Sequence, residues 1–160
     1  MKIRVGNGFD VHKLKDGKNI LLCGIKIPNQ KELVGHSDAD VALHALTDSI
    51  LGALSEGDIG IHFPPTDKQW KGANSEIFLK KALNLMVKRR YSILNLDVTI
   101  VCEAPRIKDH ASLMKSNVAR LCKIELNQVS IKGTTSEKLG FTGRGEGIAA
   151  LASVLIARDE

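Results

Sequence analysis

The sequence has few aromatic residues, few cysteines and no long apolar run. It carries one Trp, one Tyr and four Phe in 160 residues, and therefore lacks the stacking platforms that single-stranded nucleic acids usually require. The three cysteines, Cys23, Cys102 and Cys122, are an odd number without close pairs, which indicates reduced packing residues rather than a disulfide framework. The longest apolar run, residues 148–157, is about half a membrane span, and no apolar signal segment follows Met1. We therefore expect a cytoplasmic protein that does not enter a membrane.

The formal net charge of +5 is compatible with three kinds of partner: nucleic acid, an anionic membrane surface or a phosphorylated small substrate. The basic residues are scattered along the chain. Their densest group, residues 88–90, lies at the end of a predicted helix, whose negative dipole end favours cations. This group needs no nucleic acid to account for it.

The chain length and the 43% apolar content are typical of one domain, here residues 1–160, with a substantial core. Alternation and apolar periodicity predict strands at residues 3–9, 20–27, 96–102 and 128–133 and helices at residues 38–55, 75–90 and 110–122. Residues 147–157 fit either a buried strand or a helix. Residues 58–67 contain adjacent prolines and are predicted to form a surface loop with an exposed Phe63, although a well-packed turn is an equally good interpretation. The predicted fold class is α+β with two layers, a mixed four-stranded sheet with helices on one face.

Residues 36–48 form the most polar stretch of the chain, with two histidines and three carboxylates. Ser37 followed three residues later by Asp40 predicts a capping box at the start of a helix. Helical periodicity then places His44 at the edge of an apolar stripe, one turn from Asp40 and one turn from Asp48. A lone histidine in such a place is more often a half-buried side chain held by a carboxylate than a metal ligand.

Two further polar residues favour a metal site. Asp10 and His12 follow the alternating run of residues 3–9, and the period of a strand places both on one face. With His44 they offer one carboxylate oxygen and two imidazole nitrogens, a ligand set suited to zinc. Because these are three protein ligands, we predict a zinc site with one open position, the arrangement of catalytic zinc.

A second polar stretch, residues 132–138, carries three hydroxyls, one glycine, two lysines and Glu137 beside a predicted strand end. Such groups can donate hydrogen bonds to phosphate, and Glu137 can offer a carboxylate oxygen to magnesium. An ordinary Ser/Thr-rich turn or helix cap is an equally good interpretation of this stretch alone. The glycine-rich residues 140–147 match neither a P-loop nor a dinucleotide-binding fingerprint.

Several motifs carry a resemblance to a known family: Gly8-Phe9-Asp10-Val11-His12, the polar stretch at 36–48, Gly57-Asp58-Ile59-Gly60, Ala104-Pro105 and residues 137–147. Spread over nearly the whole chain, they resemble the 2-C-methyl-D-erythritol 2,4-cyclodiphosphate synthase family of the non-mevalonate isoprenoid pathway. The resemblance implies 4-diphosphocytidyl-2-C-methyl-D-erythritol 2-phosphate as substrate, cyclised with release of CMP. It also implies a homotrimer with active sites between neighbouring subunits, each using zinc and a second divalent ion, magnesium or manganese.

The resemblance also implies roles by position. Zinc ligands are implied at Asp10, His12 and His44, the set already predicted from spacing, and a ligand of the second metal at Glu137. Transition-state stabilisation is implied for His36 and Thr135. Substrate-binding residues are implied at Asp10, Val11, His12, His36, Ser37, Asp58, Ile59, Gly60, Phe63, Pro64, Pro65, Thr66 and Asp67, with Phe141 and Arg144 near the substrate and the threefold axis. Nucleotide-binding residues are implied at Ala104, Pro105, Arg106, Ile107, Thr134, Thr135, Ser136 and Glu137.

The chain departs from the family pattern at a few positions. The family commonly has Asp where this chain has Pro65, which removes one polar contact, and Gln and Lys where this chain has Glu103 and Arg106. Two alternative functions stay open. One is a metal-dependent phosphohydrolase that uses the same cluster with water as nucleophile. The other is a basic nucleic-acid-binding module, which the few aromatics and the scattered basic residues disfavour.

Overall fold

In the computed structural model, which describes residues 1–159, a five-stranded sheet forms one layer of the molecule. The strands of the chain are β1 (Lys2–Asp16), β2 (Asn19–Leu22), β3 (Ile25–Pro28), β4 (Lys31–Val34), β5 (Ser92–Val101), β6 (Val129–Thr134) and β7 (Gly147–Arg158). The main sheet has the order β4–β1–β7–β5–β6; β5 and β6 run parallel and the other neighbours antiparallel. The predicted mixed sheet is confirmed.

The number of strands differs from the prediction. The sheet has five strands rather than four, and its central strand β7 comes from the segment whose pattern fitted a strand or a helix. The predicted single strand over residues 20–27 is instead the β2–β3 hairpin, which forms a separate two-stranded sheet. The chain reverses there because Cys23 and Gly24 adopt left-handed φ values of 53° and 75°.

Helices cover one face of the sheet, as predicted. They are α1 (Val41–Ala53), α2 (Ile59–His62), α3 (Ser75–Lys88), α4 (Ala111–Cys122) and α5 (Gly140–Gly143), with short 3-10 turns at Lys68–Trp70, Ile107–Asp109 and Leu126–Gln128. Eleven residues of α1 are buried, because this helix lies between the sheet and α3. The three cysteines are buried free thiols. Within residues 1–159, no helix combines the length and the apolar content needed to cross a bilayer.

The start of α1 is organised by Asp40. The helix begins one residue after Asp40, whose side chain caps it by accepting the backbone N–H of Leu43 at 3.0 Å, so the predicted capping box is wrong. The buried carboxylate also accepts the N–H groups of Cys23 at 3.0 Å and Gly24 at 2.6 Å. Burial raises the pKa of Asp40 to about 6, although the three hydrogen bonds favour the ionised form. Asp40 therefore ties the β2–β3 turn to the first turn of α1.

Strand β1 and helix α1 touch through their backbones at Gly6 and Gly8. A Cβ added at Gly8 would lie 2.0 Å from the carbonyl oxygen of Ala45, and one at Gly6 would lie 1.9 Å from that of Ser49. Real Cβ atoms do not come within 3.0 Å of such neighbours, so only glycine permits this approach. The contact brings the end of β1 next to the first turn of α1.

The face of the sheet opposite the helices carries exposed apolar side chains. Odd-numbered residues of β1 point away from the helices, and Val5 and Phe9 are 70% and 60% exposed. On the neighbouring strand β7, Phe9 pairs with Leu151, which is also exposed. A contiguous apolar patch of this kind marks an interaction surface. We call it the open sheet face and define it as Ile3, Val5, Phe9, Val11 and Leu151.

The loop at residues 58–67 is more ordered than predicted, since it contains the short helix α2. Phe63 is buried and not exposed, so this part of the prediction is wrong. Its ring packs edge-to-face on Trp70, with centroids 4.9 Å apart, and against Phe78 at 4.4 Å. The aromatic cluster anchors the loop, while residues 64–66 stay exposed.

Candidate metal centre

Asp10, His12 and His44 meet where β1 and α1 come together. Asp10 Oδ2 lies 3.0 Å from both His12 Nε2 and His44 Nδ1, and the two nitrogens are 2.9 Å apart. Asp10 and His12 share one face of β1, as the period of two predicts, and His44 comes from the first turn of α1. All three are buried or half-buried. The predicted convergence of these side chains is confirmed.

Hydrogen bonding within this triad shifts the pKa values of its members. Burial alone would raise the pKa of Asp10, but hydrogen bonds with His12 and His44 hold that pKa well below its usual range. Burial alone would lower the pKa of His12, and the Asp10 carboxylate more than offsets this, so the pKa of His12 is raised. An ionised carboxylate and two imidazole nitrogens within 4.8 Å of one another are a ligand set for a divalent transition metal such as zinc.

The second nitrogen of the His44 imidazole also has a partner. His44 Nε2 lies 2.7 Å from the hydroxyl of Ser75, which in turn donates to the Asp38 carboxylate. Metal-binding histidines usually have such a partner on the nitrogen that faces away from the metal. The surroundings of the triad therefore fit a bound metal as well as its donor atoms do.

The two acids that flank His44 along the helix have other roles than the sequence indicated. The carboxylate partner of His44 is Asp10, while Asp40 is directed to the β2–β3 turn. Asp48 accepts the backbone N–H of Ile59 at 2.8 Å, and burial raises the pKa of Asp48. Asp48 therefore fastens the start of α2 to α1, one helical turn from the triad.

Part of the implied substrate-binding surface adjoins the triad. The hydroxyl of Ser37 lies 3.1 Å from His44 Nε2, and His36 is exposed beside it. Asp58 caps α2 by accepting the N–H of Ile61 at 3.0 Å. Beyond this cap, the exposed positions of the loop are Gly60, Ile61, Pro64, Pro65 and Thr66.

The two segments implied to bind the nucleotide meet at the carboxyl ends of β5 and β6, which pair in parallel. The Glu103 carboxylate accepts the N–H of Lys138 at 3.2 Å. Ile107 packs over Gly133, where an added Cβ would lie 2.5 Å from its side chain. Pro105 is buried with Ile107, and the exposed positions are Ala104, Arg106, Thr134, Thr135 and Glu137, with Ser136 half-buried.

Within one chain these segments lie apart from the triad. Strands β1, β7, β5 and β6 are successive neighbours, and a spacing of about 4.8 Å between strands puts the backbone of Thr135 about 14 Å from that of His12. The fold therefore places Ser37, which follows His36 in the sequence, at the triad, while Thr135 and Glu137 of the same chain stay three strands away.

The turn after β6 has an unusual backbone. Glu137 and Lys138 adopt left-handed φ values of 55° and 61°, which are uncommon for residues other than glycine and cluster at ligand sites. The Glu137 side chain is exposed. Phe141 and Arg144 are also exposed just before β7, and Arg144 pairs with Glu146 at 3.1 Å.

An α+β fold that joins a carboxylate and two imidazoles at the contact between sheet and helix defines a protein with a candidate divalent-metal centre. A sequence model described as the YgbB family matches residues 3–157. The chain belongs to this family.

Individual relatives agree with the family. The chain is 55% identical over 158 residues to a bifunctional enzyme IspD/IspF of Ruegeria pomeroyi, a match that covers 99% of this chain and 42% of the relative. It is 55% identical over 158 residues to the 2-C-methyl-D-erythritol 2,4-cyclodiphosphate synthase of Roseobacter denitrificans, with 99% of each covered. A solved structure described as IspF (Plasmodium falciparum) CDP complex has a TM-score of 0.88 and 38% identity over 99% of this chain and 97% of that one.

The motif resemblance is confirmed by these matches, and they give no support to the phosphohydrolase alternative. The chain spans about two fifths of the length of the bifunctional relatives that it matches. It spans nearly the full length of the synthase relatives.

Sequence reasoning missed two residues around the triad, Ser75 and Asp38. Ser75 gave one local signal, because it follows Asn74 at the start of a predicted helix, where polar side chains often bond to the backbone. Nothing local relates Ser75 to His44, 31 residues earlier. Only the path of the chain around α1 shows that the two side chains meet.

Proposed function

We propose that the chain, as one domain over residues 1–160, converts 4-diphosphocytidyl-2-C-methyl-D-erythritol 2-phosphate into 2-C-methyl-D-erythritol 2,4-cyclodiphosphate and CMP. This is a step of the non-mevalonate isoprenoid pathway, which we place in the cytoplasm. The observation that carries the proposal is the convergence of Asp10, His12 and His44 in a chain 55% identical to a protein named as the synthase of this product.

The reaction needs positioning more than proton transfer. An oxygen of the 2-phosphate forms a bond to the β-phosphorus, the bond from that phosphorus to the CMP oxygen breaks, and CMP leaves with the electron pair. The nucleophile is already an anion, so no strong general base is required. The protein must hold a highly charged substrate in a ring-like shape and reduce the repulsion between its phosphates.

We assign the metals as follows. Asp10, His12 and His44 hold zinc, and Glu137, an exposed carboxylate on a strained turn, holds a second divalent ion, magnesium or manganese. Such ions, when bound, supply Lewis-acid stabilisation of phosphoryl oxygens.

The remaining roles fall to side chains outside the triad. His36 and Thr135, both exposed, donate hydrogen bonds to charge that develops in the transition state; removing one such donor typically costs about 10²–10³ in rate. The loop at residues 58–67, anchored by Phe63 and Asp48, holds the methylerythritol phosphate with Ser37. Residues 104–107 and 134–137 hold the cytidine diphosphate part, in keeping with a similar protein solved with CDP.

We further propose a homotrimer with active sites between subunits. The open sheet face supports this, because exposed Val5 and Phe9 would be covered by other copies. The gap of about 14 Å between His12 and Thr135, three strand spacings, supports it too, since a neighbouring copy could bring its own nucleotide segment closer to the triad.

The test is to incubate the full chain with zinc, magnesium and the cytidyl substrate and to identify the products by phosphorus NMR. We expect the cyclic diphosphate and CMP in equal amounts. A linear phosphate product that contains oxygen from labelled water would contradict the synthase and favour the hydrolase.

Two variants separate metal binding from catalysis. His44→Ala should lose zinc and turnover together, because it removes one of three ligands. Thr135→Ala should keep the zinc content of the parent and lose turnover by about 10²–10³. Parental zinc content in His44→Ala, measured by elemental analysis, would refute the metal assignment.

A further inference from the structure

We propose that Asp38 and Ser75 are positioning residues that fix the tautomer of His44, so that the lone pair of Nδ1 points at the metal. The proposal rests on the metal centre proposed above. It assigns a role to two residues that lie outside the triad.

The first step is the direction of the Ser75 hydroxyl. The Asp38 carboxylate accepts the backbone N–H of Ser75 at 2.8 Å and also the Ser75 hydroxyl. It accepts the N–H of Asp40 at 3.1 Å as well. An ionised carboxylate can only accept hydrogen bonds, so the proton of the Ser75 hydroxyl points at Asp38.

The second step is the direction of the bond to His44. The Ser75 oxygen lies 2.7 Å from His44 Nε2. Because its own proton is committed to Asp38, this oxygen offers a lone pair, which favours a hydrogen on Nε2; the Ser37 hydroxyl, 3.1 Å from the same nitrogen, can also accept that hydrogen. When His44 holds a metal it is a neutral imidazole with one N–H, so Nδ1 then carries the free lone pair. Nδ1 is the atom that faces Asp10 and His12, at 3.0 and 2.9 Å.

The third step is rigidity. Ser75 is fully buried, and the segment before it is held to the segment around Asp38 by two backbone bonds, Asp38 N–H to the Ala73 carbonyl at 3.0 Å and Gly72 N–H to the His36 carbonyl at 2.7 Å. A water molecule at this place could donate or accept and would permit either tautomer. The buried hydroxyl with a committed proton permits one.

The test measures zinc affinity, by competition with a chromophoric chelator, in the full chain and in Asp38→Asn, Ser75→Ala and the matched control Asp16→Asn. Asp16 is an exposed carboxyl at the far end of β1 and gives the same change of charge. In Asp38→Asn, the amide NH₂ replaces one acceptor, which disturbs either the hydroxyl or the backbone N–H of Ser75. We expect a loss of zinc affinity of about 10–100-fold in Asp38→Asn and Ser75→Ala, which we call the relay variants, and none in Asp16→Asn.

A second readout is independent of zinc. Long-range proton–nitrogen NMR of the metal-free chain should show a proton on His44 Nε2 in the parent, and a loss or redistribution of that proton in Asp38→Asn. Urea unfolding of each variant checks that the fold persists. An unprotonated Nε2 in the parent, or parental zinc affinity in both relay variants, would overturn the proposal. Absence of zinc binding in the parent would instead overturn the metal centre, and the NMR result would still decide the tautomer.

Discussion

Replacing Gly8 with alanine should damage the fold and the metal centre together, because Gly8 lies where β1 touches α1. The added Cβ would lie 2.0 Å from the carbonyl oxygen of Ala45 and 2.9 Å from the backbone nitrogen of Ser49. Ordinary carbon–oxygen contacts are about 3.3 Å or longer, so the strand and the helix must separate by roughly 1 Å. Gly8 is two residues from Asp10 and Ala45 adjoins His44, so the shift falls directly on the triad.

Two effects set the magnitude. Overpacking of this kind costs about 1–3 kcal/mol of unfolding free energy, partly offset by the roughly 0.5–1 kcal/mol that alanine gains over glycine in a regular element. A displacement near 1 Å at a metal ligand should lower zinc affinity at least about tenfold, given that misplacements of this size can cost about 10² in a rate. By difference of these values, we expect Gly8→Ala to lower the unfolding free energy by up to about 2.5 kcal/mol.

The matched control is Gly52→Ala, because Gly52 lies on α1, the helix that Gly8 contacts, and faces β1. Its Cβ would meet the carbonyl oxygen of Asn7 at 3.6 Å, an ordinary contact, so the variant should be more stable by about 0.5–1 kcal/mol. Urea unfolding gives the free energies, and chelator competition gives the zinc affinities. If Gly8→Ala matched Gly52→Ala in both measurements, the close approach of strand and helix would be refuted.

The other predictions concern the buried acid, the open sheet face and the aromatic anchor. Because burial raises the pKa of Asp40 to about 6, the folded chain keeps a proton that the unfolded chain loses near pH 4, and this residue's contribution to unfolding free energy falls as pH rises from about 4 to 6. Asp40→Asn should remove that pH dependence. At neutral pH it should lower the unfolding free energy by about 1–3 kcal/mol, since an amide cannot accept all three N–H bonds. Urea unfolding at several pH values would contradict this if the unfolding free energy of the variant changed with pH as steeply as that of the parent. If the proposed homotrimer forms through the open sheet face, Phe9→Asp should sediment as a monomer, whereas Lys26→Asp, on the exposed side of the β2–β3 hairpin, should sediment as the parent does. Phe63→Ala should cost about 3–5 kcal/mol, and a smaller loss in urea unfolding would mean that the ring is not a core side chain.

The triad could be predicted because each of its members obeys a local period. Asp10 and His12 are two residues apart in a strand, and His44 lies on the apolar edge of an amphipathic helix. Both rules work on a few neighbouring residues and need no knowledge of the tertiary fold. The helices at α3 and α4 were found for the same reason.

The features that could not be predicted from the sequence depend on contacts between residues that are far apart along the chain. Polar neighbours predicted an exposed Phe63, but Trp70 and Phe78 fold over it. Spacing alone made Asp40 a neighbour of His44, whereas the β2–β3 turn captures its carboxylate. The turn itself escaped notice because Cys23 is not a residue that signals left-handed backbone.

The open sheet face also affects how the concentration of active protein depends on the total concentration of the chain. A monomer would expose the apolar side chains of Val5 and Phe9 to water. In dilute solution it would bind non-specifically to surfaces, to chaperones or to wrongly oriented copies before it assembled correctly. If three copies are needed for turnover, mass action makes output climb more steeply than the quantity of chain supplied. At low concentration the protein would then lose most of its activity while many copies of the chain were still present.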